Sequence, residues 1–170
     1  MSNTINITAV QRQQFKDEGY FILESVITEC FLELLRNACQ IFVNQTNAEM
    51  DRRGLDRIGL SHRNKRYFSA HCYQQQPELR EFLFCDMMAK ICRATLGDDA
   101  YLFWEQYVVK GASEGMEFGW HQDSGYHDNG DHRPYLTCWC ALDDMSEENG
   151  TVYIMPFSDV GTRSWVKHIR

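Results

Sequence analysis

The run Tyr101-Leu102-Phe103-Trp104-Glu105-Gln106-Tyr107-Val108-Val109 decides the fold class. It is dense in aromatic and β-branched residues, which suit a pleated, half-buried surface, so it reads as a strand. The same texture recurs downstream, where Phe118 to Asp123, Tyr135 to Leu142 and Thr151 to Met155 also read as strands. Gly111 to Gly115 reads as a turn, Ser124 to Arg133 as a polar loop, and Asp143 to Gly150 as an acidic turn. Upstream the period changes. Thr8 to Gln11 has the form of a capping box, opening a short helix that Gly19 ends. Tyr20 to Leu23 reads as a strand, and Thr28 then caps a second helix. In it Leu32, Leu35, Ala38, Cys39, Phe42 and Val43 recur at helical spacing. A short strand is expected near Tyr67 to Tyr73. Pro77 suits the first turn of a third helix, with Leu79, Phe82, Leu83, Met87 and Ile91 on one face and Gly97 beyond its end. Helices first and strands after imply an α+β fold with an antiparallel sheet, in a single domain over residues 1–170.

The bulk properties agree. A chain of 170 residues, 44% hydrophobic, is long and apolar enough to build a core. The net charge of −7 argues against a nucleic-acid binder, whose footprint is basic. Arg52 to Arg66 is the local exception, holding Arg52, Arg53, Arg57, Arg63, Lys65 and Arg66. It reads as a solvated loop, or more sharply as a lid bearing cations for an anionic substrate. No stretch has the length of a membrane span, and the first residues lack a basic leader, so neither insertion nor secretion is expected. The cysteines are Cys30, Cys39, Cys72, Cys85, Cys92, Cys138 and Cys140, an odd number without a C-x-x-C pair. Most sit in apolar runs as small buried hydrophobes, which opposes a zinc or disulfide framework and favours a reducing cytoplasm.

The chemistry concentrates in Trp120-His121-Gln122-Asp123. On a strand, residues two apart share a face, so His121 and Asp123 present an imidazole and a carboxylate together while Gln122 faces away. That pair suits a divalent ion of intermediate softness. With a second His it forms the face that leaves open positions on Fe(II) for O₂ and a co-substrate. A bare His-x-Asp triplet is also a common pair of surface polar residues, so the surroundings carry the weight.

Those surroundings are Gln106-x-x-x-Lys110, then Trp139-x-Ala141-Leu142-Asp143-Asp144, then Glu148-Asn149-Gly150-x-Val152-x-x-x-Pro156, with Phe15-x-x-x-Gly19-Tyr20-Phe21-Ile22-Leu23 at the start. In order and spacing, from about residue 15 to residue 158, the chain resembles the phytanoyl-CoA dioxygenase family. The resemblance implies a double-stranded β-helix (jelly-roll) core with helices packed outside, and Fe(II), 2-oxoglutarate and O₂ as reactants. It implies His121 and Asp123 as iron ligands and catalytic residues. It also implies Gln106, Phe118, Thr137 and Trp139 as the lining of the 2-oxoglutarate pocket. Plain core packing remains open for Phe118 and Trp139, and an exposed strand position for Gln106. Lys110 either supports the pocket's charge or is a solvated strand end. His127 and His132 follow the motif and either touch substrate or are exposed loop residues; His62 and His71 have no motif around them.

Two departures from the family pattern stand out. Pro156-Phe157-Ser158-Asp159 replaces the family's Pro-Gly-Ser-His, which bears on a local turn rather than on iron. Family members also continue well past the position of Arg170, and that stretch holds the distal His ligand and an Arg for 2-oxoglutarate. His168 and Arg170 match these in type but fall too soon. The domain is therefore expected to be incomplete, with a further C-terminal segment or a second chain completing the site. The implied function is hydroxylation of a small organic molecule or lipid-like metabolite, coupled to decarboxylation of 2-oxoglutarate to succinate. The alternative is a truncated or non-catalytic family member that binds a metabolite or partner.

Overall fold

A computed structural model describes residues 5–111, 118–126, 135–161 and 163–168. Helix α1 (Ala9–Glu18) opens with the expected capping box: the Gln11 amide donates to Thr8 Oγ1 at 3.1 Å and the Thr8 amide to Gln11 Oε1 at 3.0 Å. Gly19 ends it at φ 84°. Helix α2 (Glu29–Arg53) runs 25 residues and buries Leu35, Ala38, Phe42 and Met50. The third helix is not continuous. A 3₁₀ turn (Pro77–Leu79) leads into α3 (Arg80–Leu83), and α4 (Asp86–Thr95) starts afresh after Cys85, whose extended backbone breaks the spiral. Leu35, Ala38, Phe42, Cys72, Leu79 and Phe82 form the buried core, so α2 and the 72–83 segment clamp each other through apolar faces.

The sheet is antiparallel, in the order β1 (Arg57–Ile58), β2 (Ser61–His62), β3 (Arg66–Ala70) and β4 (Gln106–Lys110). Arg66 lies opposite Lys110, and Ala70 opposite Gln106. Tyr107 of β4 brings its ring centroid to 6.2 Å from that of Phe42, which seats the sheet on α2. The α+β class holds. The strands read at Tyr67 to Tyr73 and Tyr101 to Val109 overlap β3 and β4, but the rest of the strand reading differs. Residues 101–105, Tyr20 to Leu23, Phe118 to Asp123, Tyr135 to Leu142 and Thr151 to Met155 are not strands among the described residues. Their composition suits a strand, but a strand also needs a hydrogen-bonded neighbour. Conversely, β1 and β2 lie inside the basic segment read as a loop; at two residues each they are too short to show a period. The turn expected at Gly111 to Gly115 and the loop at Ser124 to Arg133 fall mostly outside the described residues.

Later segments are tied to the helices by polar contacts. Arg36 of α2 donates to the Leu142 carbonyl at 2.7 Å. The short helix α5 (Phe157–Val160) returns to α1, where Glu18 Oε2 accepts from the Ser158 amide at 3.1 Å and its hydroxyl at 2.6 Å. No described helix is long and apolar enough to cross a membrane.

Candidate functional site

His121 and Asp123 meet, although not on a strand. Asp123–Tyr126 forms a 3₁₀ turn, and the irregular backbone before it brings His121 Nε2 to 3.3 Å from Asp123 Oδ1. His121 Nδ1 lies 2.7 Å from the Gly119 carbonyl oxygen. That carbonyl only accepts, so Nδ1 carries a proton, and Nε2 is the nitrogen turned towards the carboxylate. A proton or a metal cation between Nε2 and Oδ1 satisfies both atoms. This is how histidine ligands are usually oriented, with the far nitrogen fixed by a backbone carbonyl. Thr137 Oγ1 donates to the other carboxylate oxygen, Asp123 Oδ2, at 2.8 Å. Both side chains remain partly open to solvent. Tyr135, read from the sequence only as the start of a strand, stands near enough for the Asp123 charge to act on it; burial first, and that charge second, push its hydroxyl up to about 12.

The segment 163–168 runs along this loop. Gln122 Nε2 donates to the Ser164 carbonyl at 3.1 Å, and Gln122 Oε1 accepts from the Val166 amide at 2.8 Å. Trp165 Nε1 donates to the Ser124 carbonyl at 2.9 Å, and the His168 amide to the Gly125 carbonyl at 2.8 Å. The His168 ring reaches the site, its centroid 6.5 Å from that of His121. Its Nε2, however, accepts the Gln122 amide at 2.8 Å, so that lone pair is already engaged. Among the described residues no three His, Cys, Asp or Glu side chains assemble as a metal site.

The residues expected around 2-oxoglutarate are spread. Thr137 touches Asp123 directly. Phe118 packs edge-on to Phe68 at 5.9 Å, with Arg66 at 5.9 Å and the Lys110 ammonium at 5.4 Å from its ring. Gln106 accepts from Trp104 Nε1 at 3.2 Å at the far end of β4. Trp139 is half exposed. Among the described residues, Gln106, Phe118 and Trp139 make no hydrogen bond or ring contact with His121 or Asp123. Lys110 is no solvated strand end, since its ammonium donates to the Gly150 carbonyl at 2.7 Å. His127 and His132 lie outside the described residues. In the basic segment, Arg52 and Arg53 pair with Glu49, and Arg63 with Asp51 and Asp56. Three of the six cations thus serve nearby acids, while Arg57 and Arg66 donate to the Gly59 and Leu60 carbonyls.

An α+β chain that holds an imidazole nitrogen beside a carboxylate carries the donor types used by mononuclear divalent-metal enzymes. The sequence matches the family Phytanoyl-CoA dioxygenase (PhyH) over residues 15–165, and the chain belongs to that family. It is also 24% identical over 160 residues to an ectoine dioxygenase from Sphingopyxis alaskensis, which covers 92% of this chain and 51% of the relative. The chain thus spans about half the length of the curated relative it matches. No solved structure matches it.

Proposed function

We propose that this chain carries two of the three iron ligands of an Fe(II)- and 2-oxoglutarate-dependent dioxygenase that hydroxylates a small organic molecule or lipid-like metabolite. The observation that carries this is the His121–Asp123 pair, with Nδ1 committed to Gly119 and Nε2 presented to Oδ1 at 3.3 Å. Iron, when bound, supplies the redox chemistry by which O₂ and 2-oxoglutarate react. The chain's own residues do the rest. His121 and Asp123 hold the metal, and Thr137 keeps Asp123 from rotating. For Phe118, Trp139 and Gln106 a place at the co-substrate rests on the family resemblance, since here they pack elsewhere. The distal His, the Arg for 2-oxoglutarate and the remaining jelly-roll strands come from more chain or from a second chain. Exposed apolar side chains along 101–104 and 152–155 support that reading, because soluble proteins seldom leave such runs uncovered. The free cysteines fit a cytoplasmic location.

A second reading is a non-catalytic family member that binds a metabolite or partner; it is favoured by the two-ligand set among the described residues. Succinate formation separates the two. Iron-dependent release of succinate from 2-oxoglutarate by the full-length protein is expected, and its loss in Asp123→Ala. Succinate release that persists in that variant refutes the ligand assignment.

A further inference from the structure

We propose that Gln122, the residue between the two ligands, is a positioning residue that locks the 164–168 strap onto the metal-binding loop and thereby sets the ligand geometry. The inference rests on the iron reading given above. A side-chain amide has the donor and acceptor of a peptide unit, and Gln122 uses both on successive strap residues, donating to Ser164 O and accepting from Val166 N. Its own backbone amide meets His168 Nε2, and its carbonyl accepts the Gly125 amide at 2.9 Å. One residue therefore satisfies the polar groups of both segments where no strand pairing does so. The approach is close. A Cβ on Gly125 would stand 2.2 Å from His168 Cδ2 and 2.5 Å from the Val166 carbonyl oxygen, so only glycine admits the strap. His121 and Asp123 flank Gln122 directly, and any shift of its backbone turns both ligands. While His121 and Asp123 face each other, the Gln122 side chain turns to Ser164 and Val166 of the strap.

The test uses the full-length protein, with Fe(II) titrated anaerobically and amide hydrogen exchange followed at Val166. Gln122→Met keeps the length and removes both side-chain hydrogen bonds. Gln122→Glu keeps the acceptor for Val166 and removes the donor to Ser164. In Gln122→Met, Val166 is expected to exchange about tenfold faster without metal, and Fe(II) to bind about tenfold more weakly, the usual scale for losing an outer-shell partner. Gln122→Glu is expected to retain most of the Val166 protection, which a change in packing alone would not restore. Unchanged Val166 exchange in Gln122→Met overturns the inference, and so does faster exchange with unchanged Fe(II) affinity. Wild-type protein that takes up no Fe(II) overturns the oxygenase reading and this one together. Wild-type uptake with an unaltered variant overturns the strap alone.

Discussion

Asp123 divides its two oxygens between His121 and Thr137, and that division fixes what each neighbour is worth. Removing the Thr137 hydroxyl in Thr137→Val leaves Oδ2 free to swing. Fe(II) affinity should fall about tenfold with little change in melting temperature, as read by anaerobic titration and circular dichroism. Gly125→Ala should act from the other side. Its methyl group cannot share space with His168 and Val166 O, so the strap lifts and Val166 loses amide protection. Protection equal to wild type would show that the close approach is not what seats the strap. At this scale the sequence spoke clearly where chemistry is local. His121 and Asp123 are two positions apart and do meet, but through irregular backbone and the 3₁₀ turn at Asp123 rather than the strand alternation that the spacing suggested. The work of Gln122, Tyr135 and His168 was not legible. It depends on partners such as Ser164 and Val166, 42 and 44 positions away from Gln122, and no period in the sequence marks such a pairing.

Among the elements, α1 and α2 declared themselves, and strands were legible only at Tyr67 to Tyr73 and Tyr101 to Val109, which overlap the paired β3 and β4. A helix satisfies its own backbone, so the apolar spacing of α2 and the Thr8–Gln11 box were enough to find α1 and α2. A strand borrows its hydrogen bonds, so aromatic texture alone over-read residues 135–142 and 151–155. Two features of the helix ends are testable. Hydrogen bonds from Arg52 first and Arg53 next hold the Glu49 carboxyl down to about 2, from the usual 4.5. A carboxyl lowered on folding contributes stability that is complete above about 4.5 and lost as pH falls towards about 2. Glu49→Gln should therefore flatten the fall of melting temperature across that window, and an unchanged slope would deny the cluster any role. At Gly19 the backbone sits at φ 84°, and a Cβ would come to 2.7 Å from the Phe157 ring. Gly19→Ala should cost about 1–3 kcal/mol in urea unfolding from backbone strain. A smaller loss would mean that α1 and α5 shift apart easily.

For the molecule as a whole, apolar side chains crowd the surface of the second half: Tyr101 is 80% exposed, Tyr153 61% and Ile154 50%. If further strands cover them in the working enzyme, footprinting of that species should find Tyr153 and Ile154 protected. A native species of 20.0 kDa that turns over 2-oxoglutarate with iron by itself would refute the need for added strands. One contact described above also orders events in time. Glu18 holds the Ser158 amide and hydroxyl across 140 residues of chain. Ribosomes add about 5–20 residues each second, so α1 leaves the tunnel on the order of ten seconds before Ser158 is made. Over that interval Glu18 and the space above Gly19 wait for Phe157 and Ser158. The loop that closes when they arrive encloses the helical core, the sheet and the His121–Asp123 pair. In a growing chain His121 and Asp123 are therefore synthesised before Ser158 can shut this clasp.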